Sequence, residues 1–79
     1  MGTNPNASNE KVHQVIDVLR NARAAQRITQ EELAVRMGYG KNTLHNTEKG
    51  KVMPTLQFVD DYATALGYQL VLLPITKER

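Results

Sequence analysis

Residues 29–50, TQEELAVRMGYGKNTLHNTEKG, contain two short helical patterns separated by a glycine-containing turn. Thr29 and Glu32 have the spacing of a capping box, in which each side chain bonds the backbone amide of the other residue. We expect the helix that begins there to end at Gly38, because glycine readily adopts the left-handed conformation that closes a helix. A tight turn follows, and a second short helix is predicted over residues 41–49. Such a pair of helices is typical of a helix-turn-helix.

Longer apolar patterns flank this pair. Before it, an apolar stripe at helical spacing predicts a first helix from about Ser8 to about Gln26, formed by Val12, Val15, Ile16 and Leu19. After it, Thr55 and Gly67 bracket a fourth predicted helix. Its inward residues are predicted to be Leu56, Val59, Ala63 and Leu66, with Phe58 and Tyr62 beside them. The short apolar run that follows, YQLVLL at 68–73, predicts a β-strand.

These patterns predict a mainly α fold: a compact four-helix helix-turn-helix domain with one short C-terminal β-strand. The predicted organisation is a disordered tail at 1–7, the helix-turn-helix domain at 8–67, a terminal strand at 68–75 and a tail at 76–79. A domain of this size has a thin core, so association with a second copy would help to stabilise it.

Composition narrows the class of protein. The 79 residues include no cysteine, which removes disulfides, thiolate metal sites and cysteine nucleophiles and favours a cytoplasmic location. No apolar run is long enough to span a membrane. The two histidines have no metal-ligand spacing, and no nucleophile–base pair stands out, so we expect no metal, no cofactor and no enzymatic activity.

The net charge of +2 is unevenly distributed. Residues 36–51 carry four basic side chains against Glu48 alone. Four polar side chains share the outer face of the third helix and are expected to read base edges in the major groove, namely Lys41, Asn42, His45 and Asn46. Phosphate contacts are expected from Thr29, Gln30, Thr43, Lys49 and Lys51.

The chain resembles the Xre/Cro-type helix-turn-helix repressor family over about residues 12–67. The matching elements are Thr29-Gln30-Glu31-Glu32-Leu33-Ala34, Met37-Gly38, Asn42-Thr43-Leu44, Glu48-Lys49-Gly50, Pro54-Thr55-Leu56 and Ala63-Thr64-Ala65-Leu66-Gly67. The resemblance implies a symmetric dimer on operator DNA and a structural salt bridge between Arg23 and Glu48. Two positions depart from the family pattern, since Gly40 replaces a Ser or Thr cap and Thr47 replaces an aliphatic side chain.

The C-terminal strand is similar to that of HipB-type antitoxins, in which each subunit contributes one strand to a sheet across the dimer axis. By this resemblance Tyr68, Leu70 and Leu72 are expected at the dimer interface. Two hypotheses follow. The first is a homodimeric transcriptional repressor that reads a palindromic operator in double-stranded DNA. The alternative is a type II antitoxin that neutralises a partner toxin and autorepresses its operon.

Overall fold

A computed structural model of the chain describes residues 5–76, with side chains from residue 10 onward. It contains four helices, α1 (Pro5–Ala25), α2 (Gln30–Met37), α3 (Lys41–Glu48) and α4 (Leu56–Ala65). The helix α1 begins at Pro5 rather than near Ser8, so part of the predicted N-terminal tail is helical. Proline suits the first turn of a helix, where its missing N–H would have no partner. Residues 1–4 and 77–79 of the predicted tails lie outside the described residues.

The core lies where α1 and α2 each pack against α3 and α4. Its members are buried apolar side chains from all four helices and from the residues that follow α1 and α4, namely Ile16, Leu19, Ile28, Leu33, Ala34, Leu44, Phe58, Val59, Tyr62, Ala63 and Leu66. The rings of Phe58 and Tyr62 meet edge to face at 6.2 Å between centroids. Burial of these side chains stabilises the helices α2 and α3, which are too short to persist alone.

Local signals place the ends of the central helices. Thr29 and Glu32 form the predicted capping box, and Gly38 closes α2 with a φ of 79°. Gly40 precedes α3 and offers it no side-chain hydrogen bond. The hydroxyl of Thr55 caps α4 by accepting from the amide of Phe58 at 3.0 Å.

The prediction that Leu56 points inward is wrong, because its side chain is 77% exposed. The buried face of α4 is centred on Phe58 and Tyr62 as well as on Val59 and Ala63. Leu56 lies in the first turn of the helix, outside this buried face. Residues 68–76 form neither a helix nor a paired strand in the single chain.

The turn between α1 and α2 is held by the side chains of Arg23, in α1, and of Gln26, directly after it. The guanidinium of Arg23 donates to the carbonyl oxygen of Ile28 at 2.8 Å, and the amide of Gln26 donates to the carbonyl oxygen of Leu66 at 3.0 Å. Between these anchors Arg27 adopts a φ of 60°, the left-handed conformation that costs a non-glycine residue about 1–2 kcal/mol.

We therefore expect Arg27→Gly to raise the free energy of unfolding by about 0.5–1 kcal/mol, since relief of this strain exceeds the entropic cost of glycine. Denaturant titration measures the change. The matched control is Arg36→Gly, an exposed arginine within α2, which should lower the free energy of unfolding by about 1 kcal/mol. A loss of similar size at both positions would contradict the strain at Arg27.

Candidate nucleic-acid interface

The helix α3 separates a buried face from an exposed one. Leu44, Thr47 and Glu48 are buried, and Asn46 is half-buried. The hydroxyl of Thr47 donates to the carbonyl oxygen of Thr43 at 2.8 Å, which satisfies the polar group that replaces an aliphatic side chain. The exposed residues of α3 include three of the four predicted base-reading side chains, namely Lys41, Asn42 and His45.

An ion pair fixes the end of α3 to α1. The Arg23 guanidinium makes a bidentate contact with the Glu48 carboxylate, with Nε 3.0 Å from Oε2 and Nη2 2.9 Å from Oε1. The structure thus brings together the two residues whose pairing the family resemblance implied. The Glu48 side chain is only 3% exposed, so this pair is shielded from solvent. It lies on the inner side of α3, and the opposite face of the helix is exposed to solvent.

Two further donors complete the surroundings of Glu48. The Tyr62 hydroxyl donates to its Oε2, and the Gln30 side-chain amide donates to its Oε1 at 2.8 Å. Burial alone would raise the pKa of Glu48, but hydrogen bonds from Arg23, Tyr62 and Gln30 lower it on balance. Burial and the neighbouring Glu48 carboxylate raise the pKa of Tyr62. Near neutral pH the Glu48 carboxylate is therefore ionised and the Tyr62 phenol is neutral.

The hydrogen bond between Tyr62 and Glu48 was missed by sequence reasoning, which placed Tyr62 only in the apolar face of α4. A signal did exist, because a tyrosine within a buried stripe needs a partner for its hydroxyl. The partner lies in a different helix, fourteen residues away, so spacing alone did not identify it.

Gln30 and His45 lie side by side on the exposed edge of α2 and α3. The Gln30 Oε1 atom is 3.3 Å from the His45 Nδ1 atom. Sequence reasoning assigned one to a phosphate and the other to a base, and did not anticipate this contact between them. The Gln30 amide keeps a second N–H hydrogen after its bond to Glu48, so a phosphate contact is still compatible with its position.

The other side chains predicted to contact phosphates differ in their exposure and in the hydrogen bonds that they make within the chain. The Thr29 hydroxyl accepts from the Glu32 amide at 3.0 Å and donates to the Glu32 carboxylate at 3.3 Å, so its local role is the cap. Thr43 is exposed on α3. Lys49 and Lys51 are exposed where the chain leaves α3. Their positive charges border the outer face of α3, which makes this end of the surface favourable for an anion.

Two short helices joined by a three-residue turn, with the second helix presenting a polar and basic face, define a helix-turn-helix protein. The family model described as a helix-turn-helix domain matches residues 17–74. The chain belongs to this family. It is also 36% identical over 64 residues to y4dL of Sinorhizobium fredii, named as an uncharacterized HTH-type transcriptional regulator.

That alignment covers 81% of this chain and 33% of the relative, so the chain spans about a third of the length of the regulator it matches. No solved structure matches the chain. Among the helices of residues 5–76, none has the length and apolar character needed to cross a lipid bilayer.

Proposed function

We propose that the chain is a sequence-specific DNA-binding transcription regulator that acts as a homodimeric repressor of a palindromic operator. The observation that carries this proposal is the division of α3, whose inner face is locked by Leu44 and Glu48 while its outer face presents polar and basic side chains. Membership of the helix-turn-helix family and the name of the relative y4dL support it. A non-enzymatic binding role is consistent with both.

In this proposal α3 enters the major groove, which is about 12 Å wide and admits one helix. Lys41, Asn42, His45 and Asn46 face base edges. The start of α2 lies against the phosphate backbone through Gln30, with Thr29 and Thr43 close by. Lys49 and Lys51 would neutralise phosphates beyond the end of α3, and their long side chains are suited to that contact.

Binding to random-sequence duplex DNA at two salt concentrations tests the electrostatic part of this proposal. Affinity should fall steeply as salt rises, with a logarithmic slope of about −0.9 for each phosphate neutralised. The double variant Lys49→Ala, Lys51→Ala should reduce the magnitude of the slope by nearly two such steps. Lys11→Ala, an exposed lysine of α1, is the matched control and should leave the slope unchanged. If the salt slope of the Lys49, Lys51 double variant equals that of Lys11→Ala, the assigned phosphate contacts are contradicted.

The homodimer is proposed to form through residues 68–75. This segment exposes large apolar side chains in the single chain, with Leu72 98%, Leu73 81% and Ile75 80% exposed. Leu70 and the exposed Leu56 line one open depression beside α4, together with Gln57 and Asp60. Antiparallel pairing of two such segments would satisfy their backbone groups and bury this apolar surface.

Leu72→Glu is expected to weaken dimerisation by more than about tenfold, because burying a leucine contributes about 1.5–3 kcal/mol. Analytical ultracentrifugation over a range of protein concentrations measures the effect. Leu73→Glu is the matched control, since alternation along a strand places residue 73 on the face opposite Tyr68, Leu70 and Leu72. A wild-type chain that remains monomeric, or an equal loss in both variants, would contradict the proposed interface.

The same exposed segment supports the alternative function, a type II antitoxin. Its apolar side chains could be covered by a partner toxin rather than by a second copy. An antitoxin gene should lie in an operon with its toxin, and the co-expressed neighbouring protein should bind this chain. Binding that Leu72→Glu abolishes would favour the antitoxin, whereas a gene that stands alone would count against it.

A further inference from the structure

A chain of hydrogen bonds runs from the buried Glu48 through Gln30 to the exposed His45. We propose that Gln30 is a positioning residue that holds neutral His45 as its Nδ1–H tautomer, so that the Nε2 lone pair of His45 selects an exocyclic amino group on adenine or cytosine. The base selection rests on the proposed DNA-binding function. The tautomer of His45 does not depend on that function, and it is testable in the protein without DNA.

The Glu48 carboxylate offers its neighbours only hydrogen-bond acceptors. Its Oε1 receives the Arg23 guanidinium at 2.9 Å and the Gln30 side chain at 2.8 Å. An ionised carboxylate only accepts hydrogen bonds. The group of Gln30 that faces Glu48 must therefore be the amide nitrogen, and the alternative amide orientation would set two acceptors against each other.

The orientation of the Gln30 amide in turn decides which of its atoms faces His45 on α3. With its nitrogen directed at Glu48, Gln30 directs its carbonyl oxygen at the His45 ring, 3.3 Å from Nδ1. A carbonyl oxygen is an acceptor without a hydrogen of its own, so Nδ1 of His45 must carry the proton that completes the bond. A buried carboxylate thus specifies the tautomer of an exposed imidazole that it does not touch.

The position of the imidazole proton decides which ring nitrogen can accept a hydrogen bond. A neutral ring with its proton on Nδ1 has a lone pair on Nε2, and that atom accepts a hydrogen bond. In the major groove the donors are the N4 amino group of cytosine and the N6 amino group of adenine, whereas O6 and N7 of guanine and O4 of thymine accept. His45 should therefore favour cytosine or adenine at the position it reads.

The tautomer is tested by long-range nitrogen–proton NMR correlation of the two imidazoles in the full chain, at a pH well above the ordinary histidine pKa of about 6.5. Wild-type His45 should show the Nδ1–H pattern, with His13 as the second histidine for reference. Gln30→Met keeps the side-chain length without the amide, and should shift His45 toward a mixture of tautomers. An Nε2–H pattern for His45 in the wild type would overturn the proposal.

The matched control is Gln57→Met. Gln57 also donates its amide to a carboxylate, at 2.9 Å from Asp61, but it lies on α4. This variant should leave the His45 pattern unchanged. A shift of His45 in the Gln57 variant equal to that in the Gln30 variant would mean that loss of any surface glutamine moves the ring, and would overturn the specific role of Gln30.

The base preference is tested by selecting bound duplexes from a random pool with wild type, His45→Ala and Gln30→Met. One position in each half-site should favour adenine or cytosine by about fivefold or more in the wild type, and lose that preference in His45→Ala. Gln30→Met should admit guanine there. Guanine, thymine or no preference at that position in the wild type would overturn the base selection.

The two failures are distinguishable. A pool without any enriched sequence, combined with an Nδ1–H His45 in the NMR spectra, contradicts the proposed DNA-binding function and with it the base selection, while the positioning role of Gln30 stands. Enrichment of a sequence combined with an Nε2–H His45 leaves DNA binding in place and overturns the positioning role.

Discussion

Replacing Glu48 with alanine is expected to lower the free energy of unfolding by about 3–5 kcal/mol, because it removes one partner of a buried ion pair and leaves the other charge unpaired. The Arg23 guanidinium would lose both of its carboxylate contacts, and the hydroxyl of Tyr62, a side chain with no exposed surface, would lose its acceptor. For so small a domain this is a large fraction of the total stability. Denaturant titration followed by helical circular dichroism measures the loss.

The matched control is Asp17→Ala. Asp17 and Arg20 form an ion pair of similar length, 3.0 Å, but both side chains are about half exposed. Its loss should cost no more than about 0.5 kcal/mol. Similar costs for Asp17→Ala and Glu48→Ala would contradict the view that burial, rather than the ion pair itself, gives the Glu48 contacts their importance.

The Glu48 network also predicts how stability depends on pH. Because the pKa of Glu48 is lowered in the folded chain, its contribution is fully present above the ordinary glutamate pKa of about 4.3 and is lost as the pH falls from there toward the lower, folded value. Unfolding measured across this acidic range should show a steeper loss of stability in the wild type than in Glu48→Ala. Parallel curves would contradict the lowered pKa.

The second large effect concerns the outer face of α3. Asn42→Ala and Asn46→Ala are each expected to reduce affinity for the preferred DNA site by about 5- to 150-fold, which corresponds to 1–3 kcal/mol for a bidentate contact to adenine. Each variant should relax the sequence preference at a single base position. Competition binding with a set of singly substituted operators measures both quantities.

Lys51→Ala is the comparison that separates the two kinds of contact. It should weaken binding to every operator by about the same factor, since a phosphate contact carries no sequence information. Equal losses across all operators for Asn42→Ala, Asn46→Ala and Lys51→Ala would contradict the division between base-reading and phosphate-contacting residues.

The features of the fold that sequence predicts well are those set by neighbouring residues. Thr29 and Glu32 form their capping box within one helical turn, and Gly38 ends α2 because its own backbone adopts the left-handed conformation. Leu56 was wrongly predicted to point inward, since the face of α4 that becomes buried depends on how the helix packs against α1 and α2. That packing is a property of the whole domain.

In the candidate site, too, sequence predicts the features set by neighbouring residues and misses contacts between helices. Exposure of Lys41, Asn42 and His45 follows from the helical period of α3 and the buried Leu44. The pairing of Arg23 with Glu48 spans 25 residues and was anticipated only through the family resemblance. The contacts of Gln30 with Glu48 and His45 join two helices at one point in space, and spacing along the chain gives no sign of them.

The central claim, that α3 reads operator DNA as part of a symmetric dimer, is tested most directly by footprinting the protein on the DNA upstream of its own gene at low and high salt. We expect two protected half-sites whose centres are about 34–36 Å apart, one helical turn, with protection that weakens at high salt. Absence of protection at low salt would contradict it.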